Sequence, residues 1–136
     1  MDLPQIAREV QDLTGGETVV VALAEEDGQV MYYAVAIGKH SASIVGKRGA
    51  TATSGLCGAV SAEGEPVLVC QTRGDTRIRQ DIAQALGIET ALGVPVYLEG
   101  KLLAVLMVLN RVDGKLFDDS DRTILMDYAT TLQRNS

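Results

Sequence analysis

Three arginines, Arg73, Arg77 and Arg79, stand within seven residues of one another, just ahead of a segment with helical period. Unpaired N–H groups at a helix N-terminus, joined by guanidinium groups, attract an anion such as phosphate, nitrate or carboxylate. Ser54 and Thr72 add hydroxyls, and Ile78 and Ile82 would supply apolar wall. The opposing reading is a solvated helix face, with Asp75 and Asp81 balancing the arginines. Cys57 follows Gly55 at the start of a short helix, where the helix dipole would favour its thiolate. Against that, a free cysteine is usually a small buried packing residue. Cys70, at the end of Val67-Leu68-Val69-Cys70, reads as core, and neither thiol is expected to be bridged.

Other chemistries find little support. Ser-His-Asp arrangements, paired carboxylates, Gly-rich phosphate loops and Cys/His zinc spacing are missing. The 12 Lys and Arg against 18 Asp and Glu leave a formal charge of -6. That charge argues against nucleic acid or anionic lipid as the main partner. The opening MDLPQIAREVQDLTGG lacks a basic n-region and an apolar h-region, and no apolar run reaches the ~18 residues of a membrane span, so a cytoplasmic protein is expected. The 46% hydrophobic and 22% charged composition is that of a globular chain. One domain over residues 1–136 is expected.

The elements that must position these residues follow from periodicity. Ile6, Val10 and Leu13 give Pro4 to Leu13 a helical stripe ended by Gly15-Gly16. Glu17 to Glu25 and Val30 to Gly38 read as a hairpin through Glu26-Asp27-Gly28-Gln29. Lys39 to Thr53 reads as a loop with room for a short strand, Ser54 to Ala62 as a short helix, Val67 to Cys70 as a strand and Thr72 to Gly87 as a helix. Ala91 to Arg111 holds two apolar runs around Leu98-Glu99-Gly100-Lys101. Neither run alternates cleanly, so this second hairpin is expected to be covered on both faces. A closing helix, capped by Asp118 or Ser120, carries Ile124, Leu125, Tyr128, Ala129 and Leu132. The sum is an α+β domain on an antiparallel sheet of five or six strands. Its terminal helices are expected on one face, with the shorter helices and loops over a pocket on the other. Tyr32, Tyr33 and Tyr97 lie on strands with one face toward that pocket.

Several pieces, in order, resemble GAF domains, small-molecule sensing modules of PAS-like architecture. They are Ser54-Gly55-Leu56-Cys57-Gly58, Gly64-Glu65-Pro66-Val67-Leu68-Val69, Gly74-Asp75 with Arg77, Gly93-Val94-Pro95-Val96, Leu103-Ala104-Val105-Leu106, and Asn110-Arg111 with Phe117-Asp118-Asp119-Ser120-Asp121. The resemblance implies a sensor or regulatory module and leaves the ligand open. Cyclic-nucleotide relatives share an Asn-Lys…Phe…Asp-Glu pattern. Here it runs Asn110, Arg111, Phe117, Asp121, Arg122, and Asn110 and Asp121 read better as supports of the turn and helix start. Neither cysteine precedes a histidine, so a bilin adduct is not expected, nor is haem ligation by the lone His40. The free methionine sulfoxide reductase branch is similar only at Gly55-Leu56-Cys57-Gly58, because Lys47 and Gln84 stand where its other two cysteines fall.

The expectation is therefore a noncatalytic sensor. It would take a small, anionic ligand near Ser54, Cys57, Thr72, Arg73, Arg77, Ile78 and Ile82. Its terminal helices would signal to a partner protein or fused output domain. A homodimer is expected through Ile124, Leu125, Tyr128 and Leu132. The alternatives are a ligand-free dimerisation domain and, third, a thiol-dependent reductase.

Overall fold

The computed structural model describes residues 2–134, so Met1, Asn135 and Ser136 of the expected 1–136 span lie outside the described residues. The chain runs α1 (Leu3–Thr14), β1 (Gly16–Glu25), β2 (Val30–Gly38), α2 (Ser41–Ile44), β3 (Arg48–Ala50), a 3-10 turn (Thr51–Thr53) and α3 (Leu56–Glu63). It continues with β4 (Val67–Val69), α4 (Gln80–Leu86), β5 (Ala91–Leu98), β6 (Lys101–Arg111) and α5 (Asp119–Arg134). Among the described residues, six strands form one antiparallel sheet in the order β3-β2-β1-β6-β5-β4. The second hairpin turns on Glu99 and Gly100, both at positive φ (53° and 79°), the backbone of a type I′ turn. Its arm β6 sits at the sheet centre beside β1, which is why its apolar run is unbroken.

Each face of the sheet carries its own apolar cluster. On one, α1 and α5 lay Ile6, Val10, Leu125 and Ala129 against Val19, Val21, Val94, Leu106 and Val108. On the other, α3 lays Leu56, Cys57 and Val60 against Val20, Ala22, Met31, Val105 and Met107. Two glycines let α3 come this close. A Cβ on Gly93 would stand 2.9 Å from Val60 Cγ2, and one on Gly58 would stand 2.4 Å from the Thr51 carbonyl oxygen.

Three local expectations change. Lys39 to Thr53 is more than a loop, because it holds α2, β3 and a 3-10 turn. The helix expected over Thr72 to Gly87 is only the seven residues of α4. The stretch before it is held instead by polar side chains. Asp75 Oδ1 accepts the Arg77 backbone N–H at 2.8 Å, and the Gln80 side-chain amide donates to the carbonyls of Thr72 and Asp75 at 2.7 and 3.0 Å. Such bonds offer the backbone an alternative to helix. Cys70 lies beyond β4 and is exposed, not core.

The closing helix packs inward. Leu125 is fully buried, Leu132 packs against the same cluster, and the Tyr128 hydroxyl donates to Glu9 of α1. Leu125 therefore cannot face a partner while the monomer is intact, because its side chain fills the space between α5 and the sheet. Ile124, 41% exposed, points outward.

Candidate functional site

A cavity of about 400 Å³ opens on the α3 face of the sheet, between α2 and the segment after it, the start of α3, and α4. Its walls come from Val20, Ile44, Leu56, Ile78, Ala91, Met107 and Leu109, and its mouth from Ser43, Lys47, Ser54, Arg79, Asp81 and Ile82. The volume lies in the range of small-molecule sites, as does the pairing of an apolar interior with a few polar groups.

Tyr33 reaches this cavity because of a bulge. Pairing between β1 and β2 slips between Val21 and Ala22, so that Val35 pairs with Val21 while Tyr33 pairs with Ala22. The extra residue, Ala34, reverses which face the following side chains meet. Val35 and Ile37 pack with the terminal-helix cluster, whereas Tyr33 packs with the α3 cluster. Tyr33 also exchanges backbone bonds with the segment after α2. Its N–H donates to the Lys47 carbonyl at 2.9 Å, and its carbonyl accepts from Gly46 at 2.7 Å. Lys47 and Tyr33 thereby share one wall.

The hydroxyl of Tyr33 lies beside Ser54 and Cys57. Burial raises its pKa, with the nearby Cys57 adding to the rise and Ser54 and the Arg79 charge opposing it. Burial pushes the Cys57 thiol up to about 12, against a smaller lowering by Tyr33. Desolvation thus outweighs the helix dipole, and Cys57 is the small buried packing residue that the sequence favoured, protonated at neutral pH.

The expected site residues separate into groups. Ser54, Ile78 and Ile82 line the cavity. Cys57 lies buried in the adjoining cluster. Thr72 and Arg73 line another cleft, on the far side of α4, with Gln71, Gln84 and Glu89. The Thr72 hydroxyl donates to the Ile88 carbonyl at 2.5 Å. Arg77 lines a further hollow and is committed to Asp75 through an ion pair of 2.7 Å, which holds that carboxyl below its ordinary range. Arg79 lines that hollow as well as the cavity, but Arg73 lies in the separate cleft, so the three arginines do not converge on one site; they precede a seven-residue helix along a bent loop. The cations at the cavity are Arg79 and Lys47. Arg79 belongs to the arginine group noticed in the sequence, but Lys47 carries no local signal, since only the fold brings it beside Tyr33.

Of the other tyrosines, Tyr32 lies under the Arg48 guanidinium, 3.9 Å from its ring centroid. The Tyr97 hydroxyl abuts Gly64. Asn110 and Asp121 act as structural supports. Asn110, at φ 61°, accepts from the Glu89 and Thr90 N–H groups at 2.7 and 3.3 Å and donates to the Gly87 carbonyl at 2.9 Å. Asp121 accepts from the Asp118 N–H at 2.9 Å and pairs with Arg111 at 3.0 Å. Among the described residues, no group of His, Cys, Asp and Glu could hold a metal ion, and no helix is long and apolar enough to cross a membrane.

The six-stranded sheet, its two helical faces and the cavity under α4 define a small pocket-bearing α+β module. The chain belongs to the GAF domain family, whose model matches residues 3–134. No curated protein matches the sequence. Among solved structures, the GAF domain of an Acinetobacter phosphoenolpyruvate-protein phosphotransferase is 21% identical, with a TM-score of 0.76 over 94% of this chain and 75% of that one. The free methionine-R-sulfoxide reductase of Neisseria meningitidis, in complex with its substrate, is 21% identical, with a TM-score of 0.77 over 96% of this chain and 72% of that one. Residues 122 to 287 of a methyl-accepting chemotaxis protein are 18% identical, with a TM-score of 0.79 over 97% of this chain and 84% of that one. At these identities the likeness establishes the fold. The family is one of sensor and regulatory modules.

Proposed function

We propose that this chain is a noncatalytic sensor domain of a cytoplasmic signalling protein, in which a small molecule fills the cavity under α4 and biases the terminal helices. The observation that carries this reading is the cavity itself, about 400 Å³ with apolar walls and a charged mouth. A route from the cavity to α5 is drawn in hydrogen bonds. Ile88, in the cavity wall, adjoins Glu89 and Thr90, which Asn110 clasps. The buried Thr90 hydroxyl donates to the Val69 carbonyl at 3.2 Å and accepts the Phe117 N–H at 3.0 Å, just ahead of α5. Such contiguity supports coupling between the cavity and α5.

The similarity to a sulfoxide reductase does not favour catalysis here. Thiol reduction of a sulfoxide needs a thiolate nucleophile and a second thiol to resolve it. Cys57 is buried and protonated, Cys70 is exposed outside the cavity, and Lys47 and Gln84 are not thiols.

A thermal-shift screen of small anions, monocarboxylates, dicarboxylates and nucleotides tests the proposal, because a ligand that binds only the native state raises its melting point. Ala85→Trp, at an exposed position of α4 on the cavity lining, blocks the site at little cost to the fold. The expected result is a shift in the parent chain that Ala85→Trp abolishes. A shift that survives the block, or none from any compound, overturns the reading in favour of a ligand-free dimerisation domain.

A further inference from the structure

Resting on that reading, we infer that the ligand is an amphipathic monoanion: one carboxylate on an apolar aliphatic or aromatic body, with the carboxylate held at the cavity mouth by Lys47 and the body enclosed beneath α4. The charge at the mouth is the first observation. Arg79 pairs with Asp81 at 2.9 Å, so these two largely cancel. Lys47 has no carboxylate within 4 Å among the described residues, although the adjacent Arg48 is paired with Glu25 at 2.9 Å. Two cations against one carboxylate leave a single positive charge beside the opening. A dianion would exceed it and an amine would meet net repulsion.

The interior supplies the second observation. Its aliphatic walls have no side-chain polar atoms, and the strands behind them spend their backbone groups in the sheet ladder. A purine buried here would leave ring nitrogens and exocyclic groups stripped of water without partners, which is costly. A hydrocarbon body loses nothing of the kind. The polar side chains on the lining are few, and among them Tyr33 and Ser54 lie beside each other near the Arg79 charge. Ser54 donates its own proton to the Ala50 carbonyl at 2.7 Å, and of the two cations only Arg79 is paired with a carboxylate, so the Lys47 ammonium is the charge left for a ligand carboxylate. Ile82, 42% exposed at the mouth, would be covered by such a ligand.

Isothermal titration of the full chain with octanoate, 1-octanol, succinate and cyclic AMP tests the inference. Octanoate is expected to bind most tightly, with 1-octanol at least fivefold weaker and the other two silent. Lys47→Met should weaken octanoate roughly fivefold, as expected for one partly exposed ion pair, and leave 1-octanol unchanged. Lys47→Arg should restore most of the loss, and added salt should weaken octanoate alone. Equal affinity for octanoate and 1-octanol, or indifference to Lys47→Met, overturns the role of the charge. Binding of succinate or cyclic AMP that Ala85→Trp abolishes overturns the ligand class while leaving the sensor proposal standing. Silence from all four probes overturns the ligand class, and the wider screen then judges the sensor proposal separately.

Discussion

At the scale of single residues, desolvation decides what Cys57 can do. Burial between α3 and the sheet outweighs the dipole at that helix start, and the thiol's pKa rises from an ordinary 9.0 to about 12. Iodoacetamide at neutral pH should therefore label Cys70 promptly and Cys57 only in denaturant, as mass spectrometry of the digested chain would read. The same shift carries a sign for stability. Between pH 9 and 12 the unfolded thiol loses its proton while the folded one keeps it, so the native state should weaken as pH rises through that window. Cys57→Ala should flatten that slope in urea melts taken at several pH values. Prompt labelling of Cys57 in the native protein would return the redox reading to consideration. The sequence made Cys57 visible as a thiol near a helix start but hid its environment, because burial is set by β1, β6 and α3 together. Lys47 was hidden for the same reason, whereas Ser54, Ile78 and Ile82, which their residue types and place in the chain single out, line the cavity.

Among the elements, the stretch after α4 joins the cavity to the closing helix. Asn110→Ala removes three hydrogen bonds and places an alanine at φ 61°, so a loss of about 2 kcal/mol is expected in chemical denaturation. Asn110→Gly should recover part of it, since glycine tolerates that backbone but restores no bond. Thr90→Val keeps the shape and leaves the Phe117 N–H without its acceptor, which should cost about 1–3 kcal/mol. If Asn110→Ala and Thr90→Val both melt like the parent, this network holds nothing together. The hairpins, the opening helix and the closing helix were legible because apolar period and turn residues agree there. Thr72 to Gly87 was not, because the isoleucines and alanines of α4 extend the helical period back into a loop whose conformation Asp75 and Gln80 fix by side-chain bonds. Within Lys39 to Thr53 the short elements depend on pairing with β2, a long-range contact that no local pattern announces.

For the whole molecule, the two faces of the sheet divide the proposed labour, with the cavity on one and the terminal helices on the other. Self-association through those helices remains our proposal, with its surface moved outward from Leu125. Leu13 and Ile124, 47% and 41% exposed, stand on α1 and α5. Sedimentation at micromolar concentration should give a dimer of the 14.4 kDa chain, and Leu13→Glu with Ile124→Glu should yield a folded monomer. Leu125→Glu should unfold the protein instead, because it buries a charge in the core. A parent chain that sediments as a monomer contradicts the dimer.

The central claim, that the cavity under α4 takes a small molecule and passes its presence to α5, is tested most directly by amide spectra of the ¹⁵N-labelled chain titrated with the ligand screen. At least one compound is expected to shift the amides of Ile44, Lys47, Ile78, Ile82 and Ile88, and with them those of Asn110 and Phe117. Spectra that stay unchanged with every compound, or shifts gathered around Thr72 and Arg73 while the cavity residues stay still, would contradict it.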